Sequence, residues 1–233
     1  MGYYGFGYGY DPVYLLLVVV SLVLGLATQG YIKKTYAKWS AVPASIPGTG
    51  AQVARRMLDQ GGASGIRIDR IGGELTDNFN PADGCLHLSG DNFGGASVAS
   101  VAVACHEAGH AVQAAKGFSM YRLRTSLVPV VSFASNAWTV VLMLGVLMNA
   151  MGLVQVAIVL FAATVVFALV TLPVEIDASR RAVEYLGSCG SGLDQRGAKE
   201  VLTAAALTYV AAALVSLLQL VYLLGRYGDR DRR

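Results

Sequence analysis

Three long stretches of this chain carry no charged side chain, and they decide which solvent it folds in. Asp11 and Lys33 bracket 21 such residues, Arg124 and Glu175 bracket 50, and Glu200 and Arg226 bracket 25. A helix crosses the hydrocarbon core of a bilayer with about 20 apolar residues. The first and third gaps therefore hold one span each. The second holds two, divided at Asn149-Ala150-Met151-Gly152, where Asn and Gly supply a tight turn. The reading is of transmembrane helices over 12–32, 126–148, 152–173 and 201–224. A charged fraction of 14%, against about 25% in soluble domains, agrees with it. The expected fold is mainly α: an integral membrane protein of about four helices with a small α+β extramembrane segment.

The first span is expected to be retained rather than cleaved. No Lys or Arg precedes it, and Lys33, Lys34 and Lys38 follow it, the reverse of a secretory leader. Residues 1–11 form a Gly/Tyr-rich tail whose rings suit a membrane interface, and 225–233 form a basic tail. The three cysteines, Cys85, Cys105 and Cys189, make no CxxC pair and suggest neither a disulfide framework nor a cysteine-rich zinc site. A net charge of +3 without a compact basic and aromatic stripe gives no argument for nucleic acid.

Residues 33–125 are the one sizeable extramembrane segment. A Pro/Gly-punctuated linker, 41–50, leads into a short helix over Gln52–Gln60, with Val53, Met57 and Leu58 on one face. Ile66-Arg67-Ile68-Asp69-Arg70-Ile71 alternates with period two, and Cys85-Leu86-His87-Leu88-Ser89 reads as a second strand. Turn formers between them suggest a β-hairpin, whose edge near Leu86–Ser89 would be free to align an extended peptide. Ser97 to Lys116 then forms a helix that is apolar on most faces, so it is buried in protein close to the membrane surface.

That helix carries His106-Glu107-Ala108-Gly109-His110, which holds two of the chain's three histidines. Residues four apart lie one above the other on a helix, so the two imidazoles can grip one metal ion while Glu107 reaches a water beside it. A catalytic zinc usually takes three protein ligands. The remaining histidine, His87, is one candidate for the third. The other is a carboxylate in Leu172-Pro173-Val174-Glu175-Ile176-Asp177, which the helical hairpin returns to the side of the motif helix. Carboxylates so close to hydrocarbon need a cation. Glu175 reads equally as a carboxylate in the first turn of a new helix over 174–200, or as a partner for Arg180 or Arg181.

Leu75-Thr76-Asp77-Asn78-Phe79-Asn80-Pro81, Leu86-His87-Leu88-Ser89, the HExxH run through Gln113, and Pro173-Val174-Glu175-Ile176-Asp177-Ala178-Ser179-Arg180-Arg181-Ala182 together resemble the YugP-type family of bacterial membrane zinc metallopeptidases. The likeness runs from about Ser45 to Leu224 and is similar in logic to the gluzincins and the HtpX-like membrane proteases. It implies one Zn²⁺ per chain held by His106, His110 and Glu175, with Glu107 as general base and acid. It also implies Asp177 as a residue orienting a ligand histidine, although Asp177 stands two residues after Glu175 where the HtpX-like enzymes place their aspartate four after. Asn78 stands where a histidine is expected and takes no metal role. The implied activity is endopeptidase cleavage of membrane-associated polypeptides. No oxyanion stabiliser is assigned among Arg180, Arg181 and Tyr185. The implied location is the bacterial inner membrane, and the lysines after the first span place the site on the cytoplasmic face. Two alternatives stand beside this: a non-catalytic, metal-stabilised membrane scaffold or assembly factor, and an intramembrane protease, which the charge-free gaps provide with no Asp ligand.

Overall fold

A computed structural model describes residues 11–228, so the Gly/Tyr-rich tail lies outside the described residues except for Asp11, and the basic tail beyond Gly228 does as well. Helix α1 spans Pro12–Ser40, opened by the Asp11 carboxylate accepting from the Val13 and Tyr14 amides, with Pro12 in the first turn where its missing N–H costs nothing. After the linker, Thr49 and Gln52 form a capping box that starts α2, Gly50–Gln60. Three strands follow, β1 Arg67–Ile71, β2 Asn78–Asn80 and β3 Cys85–Ser89. A single turn, α3 Gly90–Gly94, leads to α4, Val98–Ala115, capped by the Ser97 hydroxyl. The rest of the chain is three long helices: α5 Ser119–Leu147, α6 Met151–Cys189 and α7 Gly192–Tyr227.

Four helices, α1, α5, α6 and α7, are long and apolar enough to cross a membrane, as the charge gaps require. Asn149, at a positive φ of 51°, makes the turn between α5 and α6. Both ends of the α1–α7 pair are pinned by polar contacts: Tyr222 donates to Asp11 at 2.8 Å at one end, and Lys38 and Trp39 meet Glu200 at 2.6 and 2.8 Å at the other. The apolar length lies between these two polar collars.

Two details differ from the sequence reading. The sheet order is β1-β3-β2, with β1 parallel to β3 and β2 antiparallel to it. The hairpin is therefore β2–β3, and β3 is central in the sheet. Strand β1 covers one side of Leu86–Ser89 throughout and β2 covers the other at Leu86 and His87, so the long free edge of the sheet is that of β1. Helix α6 also runs straight through Pro173, so 174–200 is not one new helix but the end of α6 and the start of α7, divided at Gly190. An interior proline costs an isolated helix about 3 kcal/mol. In a membrane-spanning helix, packing against neighbouring helices offsets the loss. Glu175 consequently sits in a helix interior, and the reading of it as an N-terminal dipole partner falls.

The core that places the site joins the extramembrane segment to the ends of the long helices. Leu58 of α2, Leu86 and Leu88 of β3, Val101 of α4 and Leu186 of α6 are fully buried against one another. Strand β3 shows why: Leu86 and Leu88 face this core, while Cys85, His87 and Ser89 face the opposite side of the sheet, the period-two alternation of a strand. The loop before β2 is tied down by Asp77, which accepts from the Ser89 amide at 2.8 Å and the buried Asn92 side chain at 2.8 Å. Asn92 in turn accepts from Tyr36 of α1 at 2.7 Å.

Candidate metal centre

On α4 the rings of His106 and His110 meet edge to face with centroids 4.8 Å apart, the stacking that a four-residue spacing imposes. The carboxylate of Glu175, on α6, points between them: its Oε2 lies 3.3 Å from His106 Nε2 and 3.5 Å from His110 Nε2. Donor atoms of these three residues all lie within 4.8 Å of one another. The histidine side chains are 12% exposed and that of Glu175 5%, so the cluster is nearly closed to water. A buried carboxylate facing two imidazoles needs a proton or a cation between them. The donor set, two nitrogens and one oxygen, suits zinc.

Gly109 makes the convergence possible. A side-chain carbon there would stand 2.8 Å from the Ala178 carbonyl oxygen and 3.2 Å from its Cα, so only glycine lets α4 lie this close to the backbone of α6. Residue 109 faces α6 because it lies three positions after His106, and the crossing falls three residues beyond Glu175.

Each histidine is held by its second nitrogen. His106 Nδ1 lies 3.1 Å from the Ser179 hydroxyl, and His110 Nδ1 lies 3.0 Å from Gln113 Oε1. Gln113 is fully buried, and its amide nitrogen donates to the Val174 carbonyl at 2.8 Å and to Asp177 Oδ2 at 2.9 Å. Both of those partners only accept, so the Gln113 amide has one orientation and its oxygen must take the proton of His110 Nδ1. That fixes the tautomer of His110 and leaves its Nε2 lone pair directed at Glu175. Asp177 thus reaches the site through Gln113 rather than by touching a histidine, and Arg180 and Arg181 bond to it from the other side. The two-residue offset from Glu175 that counts against a direct role for Asp177 is what turns it toward Gln113.

Glu107 keeps some exposed surface. Desolvation nevertheless pushes its carboxyl up from the ordinary range; the two histidines pull it down, while Glu175 and Asp77 add to the rise. Burial alone would lower His110, but its contacts with Glu175 and the charge of Glu107 outweigh that and raise it. The site attracts positive charge. His87 is elsewhere, on the outer face of the sheet with Asp69 and Cys85, and does not join His106 and His110. Gly109, Gln113 and Ser179 carry no role in the sequence reading. The signal for Gln113 is its spacing, three residues after His110 on the same face; Ser179 lies four after Glu175, a spacing that turns it to the same side of α6, where it meets His106 on α4.

The family model described as "Putative neutral zinc metallopeptidase" matches residues 14–227. The chain belongs to this family. It is also 39% identical over 211 residues to the "Putative membrane protease YugP" of Bacillus subtilis (strain 168), a match covering 90% of this chain and 94% of that protein. No solved structure matches. The YugP-type resemblance is thereby shown, and membership implies zinc as the metal and a polypeptide as the substrate. Four apolar helices and a membrane-protease relative make it an integral membrane protein.

Proposed function

We propose that this chain is a membrane-embedded, zinc-dependent endopeptidase of gluzincin type, with one Zn²⁺ held by His106, His110 and Glu175. The observation that carries the reading is the convergence of those three donor sets, from two helices, beside a raised Glu107 carboxyl. Zinc bound there supplies a Lewis acid that polarises a scissile carbonyl and acidifies a water. Glu107 takes the proton of the attacking water on its carboxylate and delivers it to the departing amine nitrogen. Its raised affinity for a proton suits both halves of that exchange, because an ordinary carboxylate would be a weaker base. Ser179 and Gln113 hold the imidazoles so that neither ring turns away. Asp177, fixed by Arg180 and Arg181, holds Gln113.

His106 and His110 sit on the extramembrane helix α4 and Glu175 on the segment of α6 that follows its apolar run, so the substrate is a polypeptide presented at the membrane surface. Lys33, Lys34 and Lys38, in the last turns of α1, support a cytoplasmic position for this face by the positive-inside rule. Metal content and proteolysis of the purified protein in detergent test the reading with two variants. Glu107→Gln is expected to keep one zinc at this site and lose turnover, by at least ~10²-fold. Glu175→Ala is expected to lose both. Wild-type hydrolysis by Glu107→Gln would sink the assignment, and zinc kept by every variant without any hydrolysis would favour a metal-stabilised scaffold.

A further inference from the structure

The face of the sheet turned away from the core carries a second set of metal-ligating side chains, separate from the HExxH cluster. Cys85 and His87 are two apart on β3 and therefore share a face, and the parallel register puts Asp69 of β1 opposite His87. One thiol, one imidazole and one carboxylate place their donor atoms within 4.8 Å of one another. Such a combination does not arise from a solvated strand face alone, since Cys85 has no exposed surface at all.

The state of His87 supplies the independent observation. Its Nε2 lies 3.0 Å from Asp83 Oδ2, while its Nδ1 is buried and has no hydrogen-bond partner among the described residues. Asp83 is itself held, its Oδ1 accepting from the Cys85 amide at 3.0 Å and its Oδ2 from Asn80 at 3.0 Å. A carboxylate so fixed takes the Nε2 proton and leaves Nδ1 as a bare lone pair. This is the carboxylate–histidine arrangement that orients histidine ligands in zinc sites. A buried lone pair without a donor is costly, and a cation removes the cost.

We propose that Asp69, Cys85 and His87 form a second zinc site, its fourth position left to water and Asp83 the orienting carboxylate. The thiolate and imidazole select a borderline-soft cation over magnesium or calcium. Bonds of about 2.0–2.3 Å bring tetrahedral ligands to roughly 3.3–3.8 Å from each other, a contraction that side-chain rotation supplies. The fold gives the site a purpose. Strand β1 pairs in parallel with β3 and is an edge strand joined to the rest by a 13-residue loop and hairpin, 72–84. A metal bridging Asp69 to Cys85 and His87 fastens that edge in register. The sequence reading excluded a cysteine-rich zinc site, and one cysteine with a histidine and an aspartate is consistent with that exclusion.

The two sites separate by ligand chemistry, because the HExxH site has no sulfur. Full-length Glu107→Gln protein, purified in detergent, is expected to hold two zinc ions per chain. After exchange into cobalt it should show a near-ultraviolet thiolate-to-cobalt charge-transfer band. Cys85→Ser and His87→Ala should each halve the zinc content and abolish the band, while a His106→Ala/His110→Ala double variant keeps the band. Asp69→Ala removes a ligand from an exposed position without opening the core, and it should weaken the second zinc at least tenfold with unchanged circular dichroism. One zinc per chain with no thiolate band in the Glu107→Gln protein would overturn the proposal, as would an undiminished band in folded Cys85→Ser.

Discussion

Helices α1 and α4 are both apolar on most faces, yet they treat their apolar side chains in opposite ways. In α1 the large side chains point outward, with Leu16, Leu22 and Leu26 each at least 60% exposed on the protein surface. In α4 Val98, Val101 and the alanines around the motif are fully buried. The first pattern fits lipid, where outward leucine meets a solvent as apolar as itself. The second is a core helix wrapped by α2, the sheet, α6 and α7. The proposed metal centre lies where the two regimes meet, on a core helix and on the segment of α6 just past its apolar run.

The sharpest way to break the contrast is at Gly109. Replacing it with Leu drives a side chain into the Ala178 backbone and forces α4 from α6, parting the histidines from Glu175. Zinc at that site and all hydrolysis should be lost. Gly109→Ala needs a smaller shift and should retain part of both. Equal zinc in wild type and Gly109→Leu would show that the helices do not need this approach.

A paired truncation measures the two solvents directly. Leu58→Ala, in the buried core beneath α4, is expected to cost about 2–5 kcal/mol. Leu22→Ala, on the outward face of α1, opens no cavity and should stay within about 0.5 kcal/mol. Reversible unfolding in detergent gives both numbers. Similar costs would mean that the α1 face is covered by protein rather than lipid.

Gln113 tests the orientation of His110 at a smaller scale. Gln113→Ala removes the acceptor that fixes its Nδ1 proton and should weaken zinc about 10–100-fold while the helix stays folded. Gln113→Glu keeps an acceptor there but repels Asp177, so it should recover only part of the affinity. Affinity unchanged in Gln113→Ala would leave Ser179 and Glu175 as sufficient.

The sequence made the spans legible because a charge-free run of 21 or more residues has few other uses, and it made His106, Glu107 and His110 legible because their spacing has a geometric meaning. Glu175 needed the family resemblance, since a lone carboxylate beside two arginines has an equally good local partner. The sheet order was hidden for a physical reason: β2 is three residues, Asn78-Phe79-Asn80, too short to alternate and built from turn formers. The continuity of α6 was hidden because proline's local penalty is read from the chain while the compensation comes from packing. Gly109 looked like a filler in the motif, yet its lack of a side chain sets the distance between two helices.

The smallest expected effect lies at the end of α1, where the helix passes from one regime to the other. Leu26 is 65% exposed, but Trp39, more than three turns on, is 4% exposed and packed against Val98, Ala99 and Val201. Trp39 also donates its indole N–H to Glu200 at 2.8 Å, beside Lys38 at 2.6 Å. These two contacts to one carboxylate differ in surroundings: the Lys38 side chain is 58% exposed, whereas the indole is buried. A solvent-exposed ion pair contributes about 0–1 kcal/mol, so Lys38→Ala should be close to neutral and lose what effect it has in high salt. Trp39→Phe keeps most of the ring burial and removes the hydrogen bond, for about 1.5–3 kcal/mol at most given its charged acceptor. A larger loss in Lys38→Ala than in Trp39→Phe would mean that α1 is held by charge at the membrane surface and not by its entry into the core that carries the metal centre.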